Sequence, residues 1–130
     1  MERKSIMIDM DEVIVKGRFT EFLDEFLGGV DFKKLNGFNR QDLIKGREKE
    51  FEKIYAFKNL YKNDDGSFVE PLPNCVEVIE RLNQEYDIYI VTSYVWKENV
   101  IDAAHNLKYK YEYLRYFFPF LDSNNFIFIS

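Results

Sequence analysis

A short apolar segment near the start of the chain ends in two aspartates. Ile6, Met7 and Ile8 follow one another with no polar side chain between them, which predicts a buried strand over residues 4–8. Asp9 falls at the carboxyl end of this strand, and Asp11 follows two residues later. Open α/β sheets bind their ligands at the carboxyl ends of their strands, so this pair of acids is a candidate site.

Two neighbouring carboxylates at the end of an apolar strand need a partner, because unpaired buried carboxylates are costly. Mg²⁺ prefers carboxylate and carbonyl oxygens and readily bridges to a substrate phosphate. An aspartate at this place can also cap a helix or form a turn. Because capping accounts for one aspartate and not for two, we interpret Asp9 and Asp11 as a catalytic and Mg²⁺-binding pair.

The composition indicates one folded domain, since 130 residues with 46% hydrophobic and 18% aromatic residues are enough to form a core. The net charge of -5 argues against binding to a nucleic acid polymer. The single cysteine, Cys75, is typical of a reducing compartment. The few apolar residues before Asp9 are too short for a signal peptide or a membrane span, so we expect a cytoplasmic protein that does not bind membranes.

After Pro73, helical and strand patterns alternate along the sequence. Two further strands are predicted, over residues 88–91 and 126–129, and each follows a helical pattern, over residues 75–86 and 97–118. We expect the second of these helices to be interrupted near His105 and Asn106. Strands that alternate with helices indicate an α/β fold with a Rossmann-like parallel sheet, of which three strands are present.

The residues between the first strand and Pro71 are too many and too helical for a crossover loop. Their apolar spacing predicts a helix over residues 19–27, which Gly28 and Gly29 would end, and a second helix from about Gln41 to Lys58. We therefore interpret this stretch as a small helical cap inserted after the first strand. The boundaries that we predict are residues 1–15 and 70–130 for the Rossmann-like core and 16–69 for the cap.

Two hydroxyl side chains, Thr92 and Ser93, end the second strand as Asp9 ends the first. The tips of neighbouring parallel strands lie at one edge of a sheet, so these hydroxyls and the backbone amides after them would face the aspartates. Such donors form a natural phosphate site. For these two residues alone, capping of the next helix is equally reasonable. Together with Asp9 and Asp11, phosphate binding is the better interpretation.

The motif Asp9-Met10-Asp11-Glu12-Val13 and the later segment Ile90-Val91-Thr92-Ser93 resemble those of the haloacid-dehalogenase-like phosphohydrolases. Glu70-Pro71-Leu72-Pro73, with the helical insertion ahead of it, is similar to the 5'(3')-deoxyribonucleotidases (5'-nucleotidase, deoxy, cytosolic type C) within that superfamily. The resemblance implies a Mg²⁺-dependent phosphomonoesterase of deoxyribonucleotide catabolism, which hydrolyses deoxyribonucleoside monophosphates.

The resemblance also implies a role for each site residue. Asp9 would attack phosphorus and form an aspartyl-phosphate. Asp11 would protonate the leaving ribose oxygen and then deprotonate the hydrolytic water, while its backbone carbonyl joins Asp9 as a Mg²⁺ ligand. Thr92 and Ser93 would hold the phosphoryl group. Phe38, Tyr55 and Tyr61 of the cap would stack on the nucleobase, although each of them could equally belong to the core of the cap.

The same family has a lysine beyond the third strand and an acidic pair after the fourth, and this sequence ends at Ser130, before both. We therefore expect a C-terminally truncated member whose first strand is an exposed sheet edge and whose second sheet face is uncovered, which favours self-association. Two alternatives remain open. One is a phosphatase of another small metabolite, and the other is a non-catalytic phosphate- or metal-binding remnant or assembly module.

Overall fold

The sheet contains three parallel strands, β1 (Ser5–Asp9), β2 (Asp87–Ser93) and β3 (Phe126–Ile129), in that spatial order. The computed structural model describes residues 3–29, 43–55, 57–94 and 103–129. Asp9 lies opposite Val91 in the pairing of β1 with β2. Because the strands are parallel, the carboxyl ends of β1 and β2 lie at the same edge of the sheet. The predicted α/β fold with a Rossmann-like parallel sheet is confirmed.

Two helices precede strands along the chain, α3 (Cys75–Asn83) before β2 and α4 (Ala103–Phe117) before β3. The predicted interruption near His105 and Asn106 is wrong, because α4 continues through both residues. The side chain of Asn106 is buried and its amide donates to the backbone carbonyl of Tyr94 at 3.2 Å. Residues 97–102 of the predicted helix lie outside the described residues.

The insertion after β1 contains α1 (Phe19–Leu27) and α2 (Glu48–Tyr55). Gly28 ends α1 with a left-handed φ of 74°, as the pair of glycines predicted. The second helix is shorter than predicted and begins at Glu48, after a turn in which Gly46 has a φ of 87°. A turn with positive φ cannot continue a right-handed helix, so Gly46 separates α2 from the residues before it.

Aromatic rings hold α1 and α2 together. The ring of Tyr55 lies 5.2 Å from that of Phe22 and 4.6 Å from that of Phe51, and Phe26 meets Phe51 edge-on at 5.3 Å. Such pairs stabilise a fold by about 0.5–1.5 kcal/mol each beyond the apolar area that they bury. Tyr55 is therefore part of the core of the insertion.

Arg18 fastens the start of α1 to the segment that leads back to the core. Its guanidinium binds the carboxylates of Glu21 at 2.7 Å and Asp64 at 3.0 Å and donates to the carbonyl of Lys62 at 2.9 Å. The hydrogen bond from Arg18 lowers the pKa of Glu21. The backbone N–H of Arg18 also donates to the carbonyl of Leu60 at 2.9 Å, which fixes the chain directly before Tyr61.

The two faces of the sheet differ in burial. Ile88 and Ile90 on one face are 2% and 0% exposed. On the other face Met7 is 73% exposed, Ile127 38% and Ile129 48%. Within the described residues, β1 is an edge strand and this second face is uncovered, as predicted. The expectation that the first strand is buried is wrong, because no residue of β1 is fully buried and its side chains alternate between exposed and half-buried. None of the described helices is long and apolar enough to cross a membrane. The boundaries between core and cap remain a prediction.

Candidate active site at the carboxyl ends of the strands

The chain turns sharply directly after β1. The backbone N–H of Ile14 donates to the carbonyl of Met10 at 2.8 Å, and that of Glu12 donates to the carbonyl of Val15 at 2.8 Å. Met10, Ile14 and Val15 are fully buried and anchor the turn in the core. One carboxylate oxygen of Asp9, Oδ1, accepts the backbone N–H of Met10 at 2.8 Å. The turn therefore holds the first aspartate in place at the end of its strand.

Glu12 adopts a backbone conformation that favours glycine, with a φ of 63°. The left-handed region costs an ordinary residue about 1 kcal/mol, and such strained residues are concentrated at functional sites. The side chain of Glu12 is exposed. The backbone keeps this strained conformation in the turn that directly follows Asp9 and Asp11.

Both carboxylate oxygens of Asp11 have hydrogen-bond partners from other parts of the chain. Oδ2 accepts from the ammonium of Lys110 on α4 at 2.6 Å, and Oδ1 accepts from the hydroxyl of Tyr61 at 2.7 Å. The same ammonium donates to the hydroxyl of Thr92 at 2.6 Å. The predicted convergence of the strand tips is therefore present for Asp11 and Thr92, with Lys110 between them.

Lys110 is the most informative of these residues because its side chain is only 1% exposed. Buried ammonium groups are expensive unless they are paired and hydrogen-bonded. Asp11 and Thr92 provide that pairing, and the ring of Tyr61 lies 5.7 Å from the ammonium. The arrangement holds a desolvated positive charge at the carboxyl ends of β1 and β2, where a phosphate would need one.

Tyr61 is 1% exposed, and its ring packs against that of Tyr113 at 5.6 Å. Burial, reinforced by the charge of Asp11, raises the pKa of its hydroxyl well above the ordinary value, so the group is a hydrogen-bond donor at neutral pH. The charge of Asp9 contributes to the same rise. The structure therefore places the Tyr61 hydroxyl beside the carboxylate of Asp11 and leaves no ring face open for a nucleobase.

The other predicted site residues differ in position. Thr92 is 3% exposed and belongs to the hydrogen-bonded group around Lys110. Ser93 follows it at the exposed end of β2. Tyr55 lies in the aromatic cluster of the insertion, where 4% exposure leaves it no room to stack on a base, so the structure does not place it at the site. Phe38 lies outside the described residues.

The carboxyl ends of β1 and β2 offer oxygen ligands for a divalent metal, but few of these ligands are carboxylates. Among the described residues, no group of three or more His, Cys, Asp or Glu side chains could hold a metal ion. The carboxylate of Asp11 is taken up by Lys110 and Tyr61, so the carboxylate of Asp9 and the backbone carbonyl of Asp11 are the available ligands. This donor set fits Mg²⁺, which is often bound through one or two carboxylates together with waters and a substrate phosphate.

Lys110 could not be assigned from the sequence motifs, which place a lysine only beyond the third strand. One feature of the sequence does mark it. Lys110 shares a helical face with Tyr113, Leu114 and Phe117, at spacings of three, four and seven residues. Tyr113 and Leu114 are fully buried. A lysine on the buried face of a helix needs a buried hydrogen-bond acceptor or carboxylate. That requirement indicates a candidate functional site near Lys110.

Comparison with known proteins gives a consistent result. A family model described as "5' nucleotidase, deoxy (Pyrimidine), cytosolic type C protein" matches residues 3–130. A Staphylococcus aureus protein named "Putative 5'(3')-deoxyribonucleotidase" is 31% identical over 140 residues, and the match covers 98% of this chain and 67% of the relative. A protein of the same name from Staphylococcus epidermidis is 31% identical over 131 residues, with the same coverage of both chains.

Proposed function

Because the chain belongs to the cytosolic type C family of deoxy 5'-nucleotidases, within the haloacid-dehalogenase-like superfamily that its motifs predicted, we propose that it is a phosphomonoesterase that hydrolyses deoxyribonucleoside monophosphates. The observation that carries the proposal is the buried ammonium of Lys110 between Asp11 and Thr92. The cytosolic description of the family also supports a cytoplasmic role in deoxyribonucleotide catabolism.

The phosphate group of the substrate binds at the carboxyl ends of β1 and β2. There it meets the ammonium of Lys110 and the hydroxyl of Thr92, and Ser93 adds a hydroxyl from the exposed end of the strand. Hydrogen bonds between a charged donor and a phosphate oxygen are about twice as strong as neutral ones. The chain carries a net charge of -5, so this local positive charge is what allows a dianion to approach two aspartates.

Asp9 attacks phosphorus with a carboxylate oxygen, and the bond from phosphorus to the ribose oxygen breaks. Protonated Asp11 gives its proton to that ribose oxygen, so the deoxynucleoside leaves as a neutral alcohol. Asp11, now a carboxylate, then takes a proton from the water that attacks phosphorus, and the bond to Asp9 breaks. The products are a deoxynucleoside and inorganic phosphate, and both aspartates return to their starting states.

The carboxylate of Asp9 and the backbone carbonyl of Asp11 would hold Mg²⁺. When bound, it would screen the repulsion between the carboxylate and the phosphate dianion and stabilise charge in the transition state. The metal would not occupy the side chain of Asp11, whose carboxylate contacts Lys110 and Tyr61 instead.

Phosphate release from a panel of nucleotides and sugar phosphates tests the substrate class. We expect release from deoxyribonucleoside monophosphates in the presence of Mg²⁺, loss of that release after chelation of the metal, and recovery when Mg²⁺ is added back. Preference for a sugar phosphate would favour a phosphatase of another small metabolite. Absence of release from every compound would favour a non-catalytic remnant or assembly module.

The uncovered sheet face supports a second proposal, that the chain associates with a second copy of itself. Met7 on β1 and Ile127 and Ile129 on β3 are exposed apolar side chains on one face of the sheet, and β1 is an edge strand whose backbone can pair with another strand. Association of two copies of the chain would bury these side chains, and no other protein would be needed to cover them.

Met7→Glu should weaken that association, because it places a charge on the apolar face and on the edge strand β1. In sedimentation velocity experiments over a range of concentrations, we expect the parent chain to form dimers or larger species and the Met7→Glu variant to shift toward the monomer. Val78→Glu is the matched control, since Val78 is 52% exposed on α3, away from the sheet face. A parent chain that stays monomeric at high concentration would contradict the proposal.

A further inference from the structure

Asn106 joins the helix that carries Lys110 to the end of β2. We infer that Asn106 is a positioning residue, which holds α4 against the end of β2 so that the ammonium of Lys110 can contact the phosphate of the substrate. The inference rests on the proposed phosphatase activity and adds to it a residue that no sequence motif marks.

Asn106 lies one helical turn before Lys110 on the same face of α4. Residues four apart on a helix are neighbours on its surface, and these two are buried, with 8% and 1% exposure. The helix between two parallel strands runs back along them, so the start of α4 lies at the carboxyl ends of the strands. Asn106 is therefore at the same edge of the sheet as the proposed phosphate site.

The amide of Asn106 is one of two groups that hold Tyr94, the residue directly after β2. Its Nδ2 donates to the carbonyl of Tyr94 at 3.2 Å, and the backbone N–H of Tyr94 donates to the carbonyl of Ile129 on β3 at 3.1 Å. The first bond ties the end of β2 to α4, and the second ties it to β3. The backbone that follows Thr92 and Ser93 is thus fixed to the helix whose lysine donates to Thr92.

Lys110 can contact a phosphate only while α4 keeps this place. An ammonium has three N–H donors. Two of those of Lys110 are directed to Asp11 and Thr92, each at 2.6 Å, which leaves the third donor for a phosphate oxygen. A shift of the helix would break one of these short contacts or turn the third donor away. Misplacement of a reacting group by about 1 Å can cost about 10²-fold in rate.

The other polar atom of the Asn106 side chain indicates that stability is not what the residue supplies. Oδ1 is buried and accepts no hydrogen bond from any of the described residues. The carbonyl of Tyr94 fixes this orientation of the amide, because reversing it would bring two oxygens together. A buried acceptor without a donor lowers the stability of a fold, and leucine, with the same branched shape, would remove that cost. Loss of the amide should therefore affect activity more than stability.

The test measures kcat/KM for thymidine 5'-monophosphate, with Mg²⁺, in a double-mutant cycle of Asn106→Leu and Lys110→Met. We expect Asn106→Leu alone to lower kcat/KM about 10-fold and to raise the inhibition constant of inorganic phosphate by a similar factor, with a nearly unchanged melting temperature. In the Lys110→Met background the same substitution should lower kcat/KM less than about twofold, because the group that Asn106 positions is absent. Asn106→Ala replaces the leucine variant if that variant does not fold.

Asn83→Leu is the matched control. Asn83 ends α3 at the amino ends of the strands, where its Nδ2 donates to the backbone carbonyl of Phe120 at 3.5 Å. The control loses the same kind of hydrogen bond at the other end of the sheet, so kcat/KM and the inhibition by phosphate should stay as they are in the parent chain.

The outcomes separate this inference from the proposed function. A parent chain that releases no phosphate from any nucleotide would overturn the proposed phosphatase and the role of Asn106 with it. An active parent in which Asn106→Leu has no effect, or lowers kcat/KM by the same factor with and without the ammonium of Lys110, would overturn the role of Asn106 alone. Failure of both Asn106 variants to fold would also overturn it, since the residue would then be structural.

Discussion

Replacement of Asp9 by asparagine is expected to lower kcat/KM for deoxynucleotide hydrolysis by about 10⁴-fold or more, the usual result when a covalent nucleophile is removed. An amide oxygen does not attack phosphorus at a useful rate. The fold should remain intact, because the side-chain carbonyl of asparagine can still accept the backbone N–H of Met10 as Oδ1 of Asp9 does. Steady-state phosphate release measures the loss, and thermal unfolding checks the stability.

Asp87→Asn is the matched control for this variant. Asp87 begins β2 at the amino ends of the strands, whereas Asp9 lies at their carboxyl ends. Its carboxylate forms a solvent-exposed ion pair with Arg3. An exposed ion pair contributes about 0–1 kcal/mol, so Asp87→Asn should change the activity little. Full activity of the Asp9→Asn variant on deoxynucleotides would refute the assignment of the nucleophile.

Lys110→Met is expected to lower kcat/KM by about 10²- to 10³-fold, because it removes the buried positive charge that meets the transferring phosphoryl group. The stability should fall by about 1–3 kcal/mol. Methionine fills most of the space of the lysine, but the buried hydroxyl of Thr92 loses the hydrogen bond from the ammonium. Asp11, which is 46% exposed, keeps its contact with water and with Tyr61.

Lys108→Met provides the comparison on the same helix. Lys108 is 68% exposed and pairs with Glu112 at 3.9 Å, so its loss should affect neither phosphate release nor stability appreciably. If Lys110→Met kept its activity but unfolded at a much lower temperature, the lysine would have a structural role. The buried ammonium of Lys110 would then no longer support the proposed function.

The sequence was sufficient for those parts of the site that depend on local pattern. Ile6, Met7 and Ile8 specify a strand without regard to the rest of the chain, and the position of Asp9 and Asp11 follows from where that strand ends. Thr92 follows in the same way from β2. Parallel pairing then brings the strand tips together, because it is the only arrangement that a strand–helix–strand connection readily forms.

The partners of Asp11 could not be predicted, because they depend on how distant segments pack. Tyr61 follows no regular element and enters the site only because Arg18 and Val69 hold its segment in place. Lys110 enters because the buried face of α4, which also carries Tyr113, packs beside Tyr61 and Val69. Composition assigns a tyrosine equally well to a stacking surface or to a core, and only the packed structure shows that Tyr61 donates to a carboxylate.

The location of the aromatic residues of the insertion has the same explanation. Phe22, Phe51 and Tyr55 have the spacing of amphipathic helices, which predicts that they share a face but not what that face contacts. In the structure α1 and α2 pack on each other, so the rings form a core and Tyr55 is not available to a substrate. Gly46 limits α2 through a turn with positive φ, a conformation that helical periodicity does not reveal.

The most direct test of the account is to trap the covalent intermediate. Chain that is turning over a deoxynucleotide with Mg²⁺ is treated with borohydride, which reduces an aspartyl-phosphate to homoserine, and the modified position is read by mass spectrometry of the peptides. We predict homoserine at position 9, dependent on substrate and absent from the Asp9→Asn variant. Steady turnover with homoserine at another position, or with none at all, would contradict the assignment of Asp9 as the nucleophile.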